Sequence, residues 1–302
     1  MFRVIIVNLK GGLGNQMFQY ALGYSLSKIK NVPLCFDLRL MEEHKIKPSP
    51  RNVPREFDLD IFGIKKQMVE KKHLIKTLQF PNNYRFRKYI SIILDKLNLF
   101  AFYENKRVFN KRVFNNGFKD IYLDGLWQSE KYFKRFRSEI LDIYNFDKIK
   151  KKEKNIKFLK EINFLKSICL NVRRTDFINN PEHNVVSINY YKNAISNFRD
   201  IIGEDLKIYV FSDDLEWCKN NLNFIDNIEI VDHEFAGYKF YDYLYLMSSF
   251  KNFIIPNSSF AWWACWLSKH QDKIIMTPKR WSGLVDESLI EIVPPEWIRV
   301  NY

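Results

Sequence analysis

The alternation of short, largely apolar runs with helical patterns constrains the fold of this chain more than any other feature. Five such runs follow one another in the second half of the sequence, at residues 167–172, 207–211, 228–231, 252–255 and 273–276. Helical patterns separate several of them, at 189–198, 242–250 and 258–268. Strands that are apolar on both faces and alternate with helices are typical of a parallel sheet covered on both sides. The second half is therefore predicted to be a doubly wound α/β unit.

The first half opens in the same way. A strand is predicted at residues 3–9, a helix at 16–28 and a second strand at 33–38, with a glycine-rich turn after the first strand. A strand, a helix and a strand in this order form a βαβ unit, whose two strands run parallel. Apolar content falls in the lysine-rich run 148–154, so we predict two domains, at 1–155 and 156–302.

Polar clusters follow three of the predicted strands. They are Arg173-Arg174-Thr175-Asp176, Ser212-Asp213-Asp214 and Asn257-Ser258-Ser259. In an open parallel sheet, ligands bind beyond the carboxyl ends of the strands. We therefore expect the three clusters to lie at one edge of the sheet and to form a ligand site there.

The third cluster predicts an anion site. Asn257 or Ser258 is a suitable N-cap for the helix that follows, and the free N–H groups and positive dipole end of a helix start attract anions. The two arginines expected at the same edge could bind phosphate oxygens in pairs. Two alternatives stay open: the serine is an ordinary cap, and one arginine holds Asp176 in a structural ion pair. Together, the arginines and the helix start could bind a diphosphate without a metal ion.

The glycine-rich turn is expected to place five residues at the start of the first helix: Gly11, Gly12, Gly14, Asn15 and Gln16. Gly12 and Gly14 form part of a dinucleotide fingerprint, but Met17 stands where its third glycine belongs. No Gly-Lys-Ser/Thr follows, so the turn is not a P-loop either. Glycines at a helix start do allow a ligand to approach the backbone closely.

No metal site or disulfide framework is indicated. The four cysteines lie far apart without a Cys-x-x-Cys pair, and the five histidines show no ligand spacing. The longest apolar run, 260–267, is far shorter than the ~20 residues that a membrane-spanning helix needs. The N-terminus lacks the apolar region and cleavage site of a signal peptide. A cytoplasmic protein with reduced thiols and no metal cofactor is predicted.

Positive charge is concentrated in one segment. The formal net charge is +13, yet residues 61–160 alone contain 25 Lys and Arg against 10 Asp and Glu, a net +15. A solvated lysine-rich surface, an anionic membrane surface and nucleic acid are the three interpretations. No nucleic-acid motif accompanies the charge, so nucleic acid is not expected as a partner.

An apolar stripe within this segment helps to distinguish between the three interpretations. Six apolar residues recur at the spacing of a helix: Phe86, Tyr89, Ile90, Ile93, Leu94 and Leu97. Such a stripe either packs on the protein core, which is the more common case, or lies on anionic lipid. Peripheral contact with the inner membrane is thus one hypothesis for this segment.

Four motifs resemble those of a known enzyme family. The run Gly11-Gly-Leu-Gly-Asn-Gln-Met-Phe-Gln-Tyr-Ala21 closely resembles the opening motif of the bacterial α-1,2-fucosyltransferases, glycosyltransferase family 11. Asn171-Val-Arg-Arg-Thr-Asp176 is similar to their His-x-Arg-Arg-x-Asp signature. Their third and fourth regions resemble 211–214 and 257–263, the latter followed by 273–278. The resemblance runs from residue 4 to about residue 281, and the correct order of four motifs makes it specific.

The resemblance implies a GT-B-like α/β fold: two facing Rossmann-like halves with mostly parallel sheets, the first on the acceptor side and the second binding the nucleotide sugar. It implies an inverting, metal-independent transfer of L-fucose from GDP-β-L-fucose to the 2-hydroxyl of a terminal galactose. The acceptor would be an oligosaccharide, as in O-antigen synthesis, with a lipid-linked glycan among the options. The alternatives are another nucleotide-sugar glycosyltransferase or, less favoured, a basic membrane- or nucleic-acid-binding protein.

The resemblance also assigns roles to residues. Arg173 or Arg174 would bind the donor β-phosphate and stabilise the departing GDP. Asp242 would accept hydrogen bonds from N1–H and N2–H of guanine. The other donor-binding candidates are Asn171, Asp213, Asp214, Asn257, Ser258 and Ser259. Apart from the resemblance, the acceptor pocket is expected to be lined by residues of the first half, with Asn15, Gln16, Trp127 and Gln128 as the candidates. The Trp127 ring either forms a platform for a sugar or packs in the core.

One departure from the family pattern concerns catalysis. Asn171 stands where the family motif has histidine, and an amide can replace one hydrogen bond but not a cation. The catalytic base is therefore open, and Asp176 is the candidate. An ion pair with an arginine would weaken Asp176 as a base.

Overall fold

The computed structural model describes residues 4–47, 54–69, 84–97, 99–104, 106–118, 120–149, 151–183 and 185–302. The chain divides into two units, Met1–Tyr144 and Asn145–Tyr302. Each unit is built on a parallel sheet, which confirms the α/β prediction for both halves.

The division between the units falls at 144/145, earlier than the predicted 155/156. Residues just after Tyr144 pack within the second unit. The Phe146 ring lies 5.3 Å from the Tyr241 ring, and Asp147 pairs with Lys269 at 2.9 Å. Apolar content does fall in the lysine-rich run, but the aromatic contact and the ion pair hold the residues before it to the second unit.

The described residues of the first unit form four strands: β1 Ile5–Asn8, β2 Leu34–Asp37, β3 Ala101–Tyr103 and β4 Ile121–Asp124. Their spatial order is β2-β1-β4-β3, and every neighbouring pair is parallel. All four carboxyl ends therefore lie at one edge. β1 and β4 are buried throughout, which accounts for their continuous apolar sequences.

The helices of this unit are α1 Leu13–Lys30, α2 Arg39–Ile46, α3 Tyr84–Lys96 and α4 Arg137–Ile143. α1 packs closely on the sheet at Gly23, where a Cβ would lie 2.7 Å from Leu34 Cδ1 and 2.8 Å from Val7 Cγ2. The helix ends at Asn31, whose left-handed backbone (φ 51°) directs its N–H to the carbonyl of Ser27.

In the second unit, the part of the chain that the structure describes has six strands: β5 Ser167–Val172, β6 Lys207–Ser212, β7 Ile228–Ile230, β8 Asn252–Ile254, β9 Ile274–Pro278 and β10 Ile298–Val300. All neighbours are parallel, in the spatial order β10-β9-β8-β5-β6-β7. The chain builds outward from β5 to β7 on one side and from β8 to β10 on the other. The switch point of the sheet thus lies between β5 and β8, where open α/β sheets bind ligands.

Over its described ranges, 145–149, 151–183 and 185–302, the second unit also has five α-helices: α5 Glu153–Lys160, α6 Ile188–Ile202, α7 Leu215–Asn221, α8 Tyr241–Ser248 and α9 Ser259–Leu267. α9 is buried from Ala261 to its end, and the indole N–H of Trp262 donates to the Ile292 carbonyl at 2.8 Å. Tyr190 on α6 is also fully buried, and its hydroxyl lies 2.6 Å from the Ile255 carbonyl. Among the helices that the structure describes, none combines the length and the apolar character needed to cross a bilayer.

Candidate functional site

The loop after β5 is organised by Asp213, which follows β6. The Asp213 carboxylate accepts the backbone N–H groups of Arg174 and Thr175, at 2.9 and 3.0 Å. It also lies 3.2 Å from a guanidinium nitrogen of Arg173. Because β5 and β6 are parallel neighbours, their carboxyl ends bring the first two polar clusters together.

Arg173 lies between two carboxylates. Its guanidinium is 2.7 Å from Asp176 Oδ1 and 3.2 Å from Asp213 Oδ2, and it lies over the Phe177 ring. The side chains of Arg173 and Asp176 are 29% and 30% exposed. The structural ion pair that the sequence left as an alternative is thus present. It is partly open to solvent, so an incoming anion could compete for the guanidinium.

Arg174 is held by an aromatic ring and by the residue that caps a helix. Its guanidinium lies 4.0 Å from the centroid of the Trp217 ring, and its Nε is 3.4 Å from Asp214 Oδ2. Asp214 in turn caps α7 by accepting the N–H of Trp217 at 3.0 Å. Tryptophan is the best aromatic partner for a cation, so these contacts fix Arg174 to the start of α7.

Asn171, at the position of the family histidine, is buried on β5. Its side-chain amide donates to the Phe211 carbonyl on β6 at 2.9 Å. This hydrogen bond joins the two strands near their carboxyl ends. The side chain therefore supports the strand ends from which the charged residues project.

The third cluster begins α9 beside the switch point. Ser258 is the N-cap, and its Oγ accepts the N–H of Ala261 at 3.4 Å. Ser259 is the first residue of the helix. The start of a nine-residue helix presents N–H groups that lack partners within the helix.

Asn257 connects this cluster to the loop after β5. Its buried side-chain amide donates to the carbonyls of His183 and Trp281, at 3.1 and 2.9 Å. Its Oδ1 is buried without a hydrogen-bond partner among the described residues. The three predicted clusters are therefore linked: ion pairs join the first to the second, and Asn257 joins the third to the loop that contains the first.

Asp242 lies in the first turn of α8, where a carboxylate is favoured by the helix dipole. Its side chain is 12% exposed and lies 3.0 Å from Lys152 Nζ. Gly237, with φ 72°, packs directly against the carboxylate, and a Cβ at that position would overlap it. The backbone that follows is strained, because Lys239 and Phe240 have positive φ. Sequence reasoning did not identify Lys152 or Gly237, which no motif contains.

In the first unit, Gln16 holds two segments together. Its Nε2 donates to the carbonyls of Gly11 and Glu56, at 3.0 and 2.7 Å, and its Oε1 accepts the N–H of Asp58 at 2.9 Å. Gln16 is fully buried. The structure therefore gives this predicted acceptor residue a set of structural bonds that pins residues 56–58 to the glycine turn.

Gln19, one turn further along α1, does the same for Lys10. The Gln19 amide accepts from and donates to the backbone of Lys10, at 3.0 and 2.9 Å. Asn15 lies next to the turn and accepts a hydrogen bond from Gln128 at 2.8 Å. At Gly12 a Cβ would lie 3.7 Å from a guanidinium nitrogen of Arg55, so this arginine approaches the turn. Sequence reasoning missed Gln19 and Arg55 as site residues.

Charged and amide side chains also end the strands of the first sheet. Asp124 accepts from Lys10 Nζ at 2.9 Å and from Asn8 Nδ2 at 3.1 Å. Asp37 accepts from Arg39 Nη2 at 2.6 Å and from the Tyr122 hydroxyl at 2.9 Å. Burial alone would raise the pKa of Asp37, but the hydrogen bonds and charge of its partners lower that pKa below its usual value.

Glu104 holds the loop after β4. Its carboxylate accepts the N–H groups of Leu126 and Trp127, at 2.6 and 3.0 Å. Burial raises the pKa of Glu104, and these two N–H bonds act in the opposite direction. Trp127 has φ 57°, and its fully buried ring lies edge-on to the Tyr132 ring. The structure thus places Trp127 in the core instead of on a sugar-binding surface.

In the described ranges of the chain, no three His, Cys, Asp or Glu side chains approach closely enough to hold a metal ion. All four cysteines are buried and unpaired with one another.

Comparison with known proteins identifies the family. The sequence model of Glycosyl transferase family 11 matches residues 3–301. The chain belongs to this family. It is 29% identical to an α-1,2-colitosyltransferase of Escherichia coli over 99% of both chains. It is 32% identical to the O-antigen biosynthesis glycosyltransferase WbnK of Escherichia coli, over 97% of this chain and 99% of WbnK. The family predicted from the motifs is therefore confirmed.

The fold of this family 11 member also resembles a solved fucosyltransferase. The crystal structure of the NodZ α-1,6-fucosyltransferase soaked with GDP-fucose superposes with a TM-score of 0.50, covering 88% of this chain and 93% of NodZ. The identity is 14%, so the likeness is one of fold. It confirms the GT-B-like α/β fold class.

Proposed function

We propose that this family 11 member transfers L-fucose from GDP-β-L-fucose to the 2-hydroxyl of a terminal galactose, with inversion at the anomeric carbon. The observation that best supports the proposal is that Arg173, Asp213 and the Ser258 helix start follow the carboxyl ends of the neighbouring parallel strands β5, β6 and β8, at the switch point of the second sheet. Guanidinium groups and helix starts are the groups with which proteins bind diphosphates without a metal ion.

In the proposed reaction, the acceptor hydroxyl oxygen bonds to the anomeric carbon as the bond to the β-phosphate oxygen breaks. GDP leaves with the bonding electrons, so negative charge grows on the diphosphate. Arg173 is partly exposed, and the partners that the described residues give it are two carboxylates and a ring face, so we assign it to this charge. Donors that are already oriented toward the developing charge stabilise the transition state.

Asp176 is proposed to accept the proton of the acceptor hydroxyl. In the structure its Oδ1 is paired with Arg173 at 2.7 Å. When the guanidinium turns to the β-phosphate, the Asp176 carboxylate is released from this ion pair and can face the acceptor hydroxyl. Donor binding and release of the carboxylate would then be coupled through one arginine.

We assign the recognition of guanine to the Asp242 carboxylate. A carboxylate can accept N1–H and N2–H of guanine together, a pattern that adenine and uracil do not offer. Lys152 and the bare backbone of Gly237 fix the orientation of this carboxylate. On the acceptor side, the Asn15–Gln128 amide pair at the glycine turn is the proposed contact, since the Gln16 amide is occupied by structural bonds.

A colitosyl donor is the second candidate. The relative that is 29% identical over the whole chain is named as an α-1,2-colitosyltransferase. Colitose is fucose without its 3-hydroxyl, so both donors could share the diphosphate and guanine contacts described above. The two candidates differ only in the sugar.

A donor screen tests the proposal. The purified protein is offered GDP-fucose, GDP-colitose, GDP-mannose, UDP-galactose and UDP-N-acetylglucosamine separately, with lactose and type-1 and type-2 disaccharides as acceptors. We expect transfer from GDP-fucose and an α-1,2 linkage to galactose by NMR, with activity retained in EDTA. Transfer only from GDP-colitose would select the second candidate, and transfer only from a UDP-sugar would reject both. Strict dependence on Mn²⁺ would contradict the metal-free account.

A further inference from the structure

Helix α3 has two apolar edges, and the described residues of the first unit cover one of them. Leu94 is buried and Ile90 partly buried, and both pack in the cluster that contains Val4, Ile6 and Tyr122. Four other apolar residues of the predicted stripe are exposed, with exposed fractions of 49% for Phe86, 70% for Tyr89, 50% for Ile93 and 63% for Leu97. We call these four residues the outer face of α3. The stripe predicted from the sequence thus packs on the core along only one of its two edges.

The outer face is continuous. Its members are three, four and four residues apart, a spacing that places side chains on one side of a helix. Leu97 lies just past the end of α3, and its N–H still bonds to the Ile93 carbonyl at 3.0 Å. The row is about 16 Å long at 1.5 Å per residue. Single exposed apolar residues are ordinary, whereas a row of four makes a patch of the kind that binds a partner.

The charge of α3 identifies the kind of partner. The helix contains Arg85, Arg87, Lys88 and Lys96 against one acid, Asp95. That acid is paired with Arg112, another cation, at 3.3 Å. The segment 61–160 that contains the helix has a net charge of +15. An apolar row on a strongly basic segment is complementary to a surface that is both apolar and anionic.

We propose that the outer face of α3 docks on an anionic phospholipid bilayer, with the helix axis parallel to the membrane surface. Phe86, Tyr89, Ile93 and Leu97 would enter the boundary between head groups and acyl chains, and the basic residues would contact the head groups. A second copy of the chain is disfavoured as the occupant, because it would bring two strongly positive segments together. A nucleic-acid backbone would match the charge but offers no apolar surface to the row.

Vesicle sedimentation tests the proposal without any donor or acceptor, so its outcome is independent of the proposed enzymatic function. The full chain is mixed with vesicles of phosphatidylcholine alone or with phosphatidylglycerol added to about a third of the lipid. We expect binding only to the anionic vesicles and release by salt. The double variant Tyr89→Ser with Ile93→Ser should lose at least tenfold in affinity, because it removes the two central apolar contacts.

Matched controls exist in the second unit. Leu165 and Leu284 are as exposed as the outer face, at 65% and 70%, and stand outside it. Replacing both by serine should leave vesicle binding unchanged. Reversing charge with Arg85→Glu and Lys96→Glu should weaken binding by at least roughly fivefold for each residue. The exposed Lys192 and Lys219 of the second unit, which lie outside residues 61–160, provide the control for charge reversal. Thermal melts establish that each variant is folded.

A fluorescent label reports which surface enters the lipid. The four native cysteines are all buried, so a cysteine introduced at an exposed position can be labelled selectively. A polarity-sensitive dye on Ile93→Cys should shift to the blue when anionic vesicles are added, and the same dye on Leu165→Cys should not. Equal shifts at both positions, or vesicle binding that survives the Tyr89/Ile93 double variant, would overturn the proposal. So would a dimer in light scattering that the same double variant dissociates while vesicles fail to bind.

Discussion

The carboxyl edges of the two sheets contain similar residue types and use them differently. After β5 and β6 in the second unit, Arg173, Asp176 and Asp214 are each between a quarter and a third exposed. At the same edge of the first sheet, Gln16 and Gln19 are fully buried and bonded to backbone groups of neighbouring loops. Parallel topology places polar side chains at both edges. The exposed fraction of each side chain then determines whether it can leave its partner in the protein and bind a ligand instead.

Replacing a side chain should change the stability of the protein differently at the two edges. A buried amide leaves its partners unsatisfied when it is deleted, which costs about 1–3 kcal/mol for each unpaired group. A partly exposed ion pair contributes little to stability, typically about 0–1 kcal/mol, since water replaces the lost partner. Substitutions at the second edge should therefore change activity at nearly constant stability, and those at the first edge should do the reverse.

The largest effect is expected for Arg173→Ala. Loss of the guanidinium that meets the growing diphosphate charge should lower kcat/KM by about 2–5 kcal/mol, a factor of roughly thirty to several thousand. Steady-state kinetics with GDP-fucose and lactose measures the loss, and thermal melts should stay within about 2 °C of the wild type. Arg199→Ala, on α6 and far from the strand ends in sequence, is the matched control and should keep full activity. Wild-type turnover in a folded Arg173→Ala variant would assign the phosphate to another residue.

The next largest effect is expected on the recognition of guanine in the donor. Hydrogen bonds to a charged group contribute about 1.5–3 kcal/mol, so the enzyme should prefer GDP-fucose over IDP-fucose, which lacks the 2-amino group, by about tenfold or more. Asp242→Asn should abolish most of this preference. Lys152→Met retains the carboxylate, so it should keep the preference while donor KM rises.

Glu234 provides the control for this comparison, because it is an exposed carboxylate that is also paired with a lysine, Lys154 at 3.2 Å. Glu234→Gln should leave the ratio of the two donors unchanged. If Asp242→Asn discriminates between GDP-fucose and IDP-fucose as well as the wild type does, the guanine assignment is wrong.

A smaller effect, on stability alone, is expected in the first unit. Gln16→Ala removes three hydrogen bonds at 2.7–3.0 Å and leaves three partly buried backbone groups without these partners. The free energy of unfolding should fall by about 1–3 kcal/mol, measured by urea denaturation. The kcat of the folded fraction should stay within about twofold of wild type. The exposed Gln67→Ala is the control, with an expected change below about 0.5 kcal/mol. A Gln16→Ala variant that is stable but has lost acceptor affinity would restore Gln16 to the acceptor site.

The predictability of the fold depends on how apolar the sequence of each element is. The six-residue strand β5 lies at the residues that its apolar run predicts, and α9 differs by one residue at each end. The three-residue strands β7 and β8 also lie within predicted apolar runs, whereas the equally short β3 and β10 were missed. The helices α2 and α7 were missed because polar residues outnumber apolar ones in both.

For the site, predictability depends on whether a residue is placed by strand direction or by contacts with residues distant in the sequence. The strand-end clusters were predictable, because strand direction alone brings their residues to one edge. The partners of Gln16 and Asp242 were not, because Glu56 and Lys152 lie 40 and 90 positions away in the sequence. The helical stripe of α3 was visible as a pattern, but its division into covered and exposed edges depends on where the helix packs.

The smallest effect is a pH dependence confined to the first unit. Arg39 and Tyr122 hold the pKa of Asp37 below its usual value in the folded protein. A lowered folded-state pKa means that the carboxylate stabilises the fold above the unfolded-state pKa of about 3.9, and that this stabilisation is lost as pH falls through the folded-state pKa. Asp37→Asn should therefore be less stable than wild type at pH 7, and the difference should shrink below about pH 4. Melting temperatures from pH 7 to pH 3 measure it, with the exposed Asp226→Asn as control. A difference that stayed constant over this range would mean that the carboxylate charge contributes nothing to the first edge, and that its neutral hydrogen bonds alone hold the loop after β2.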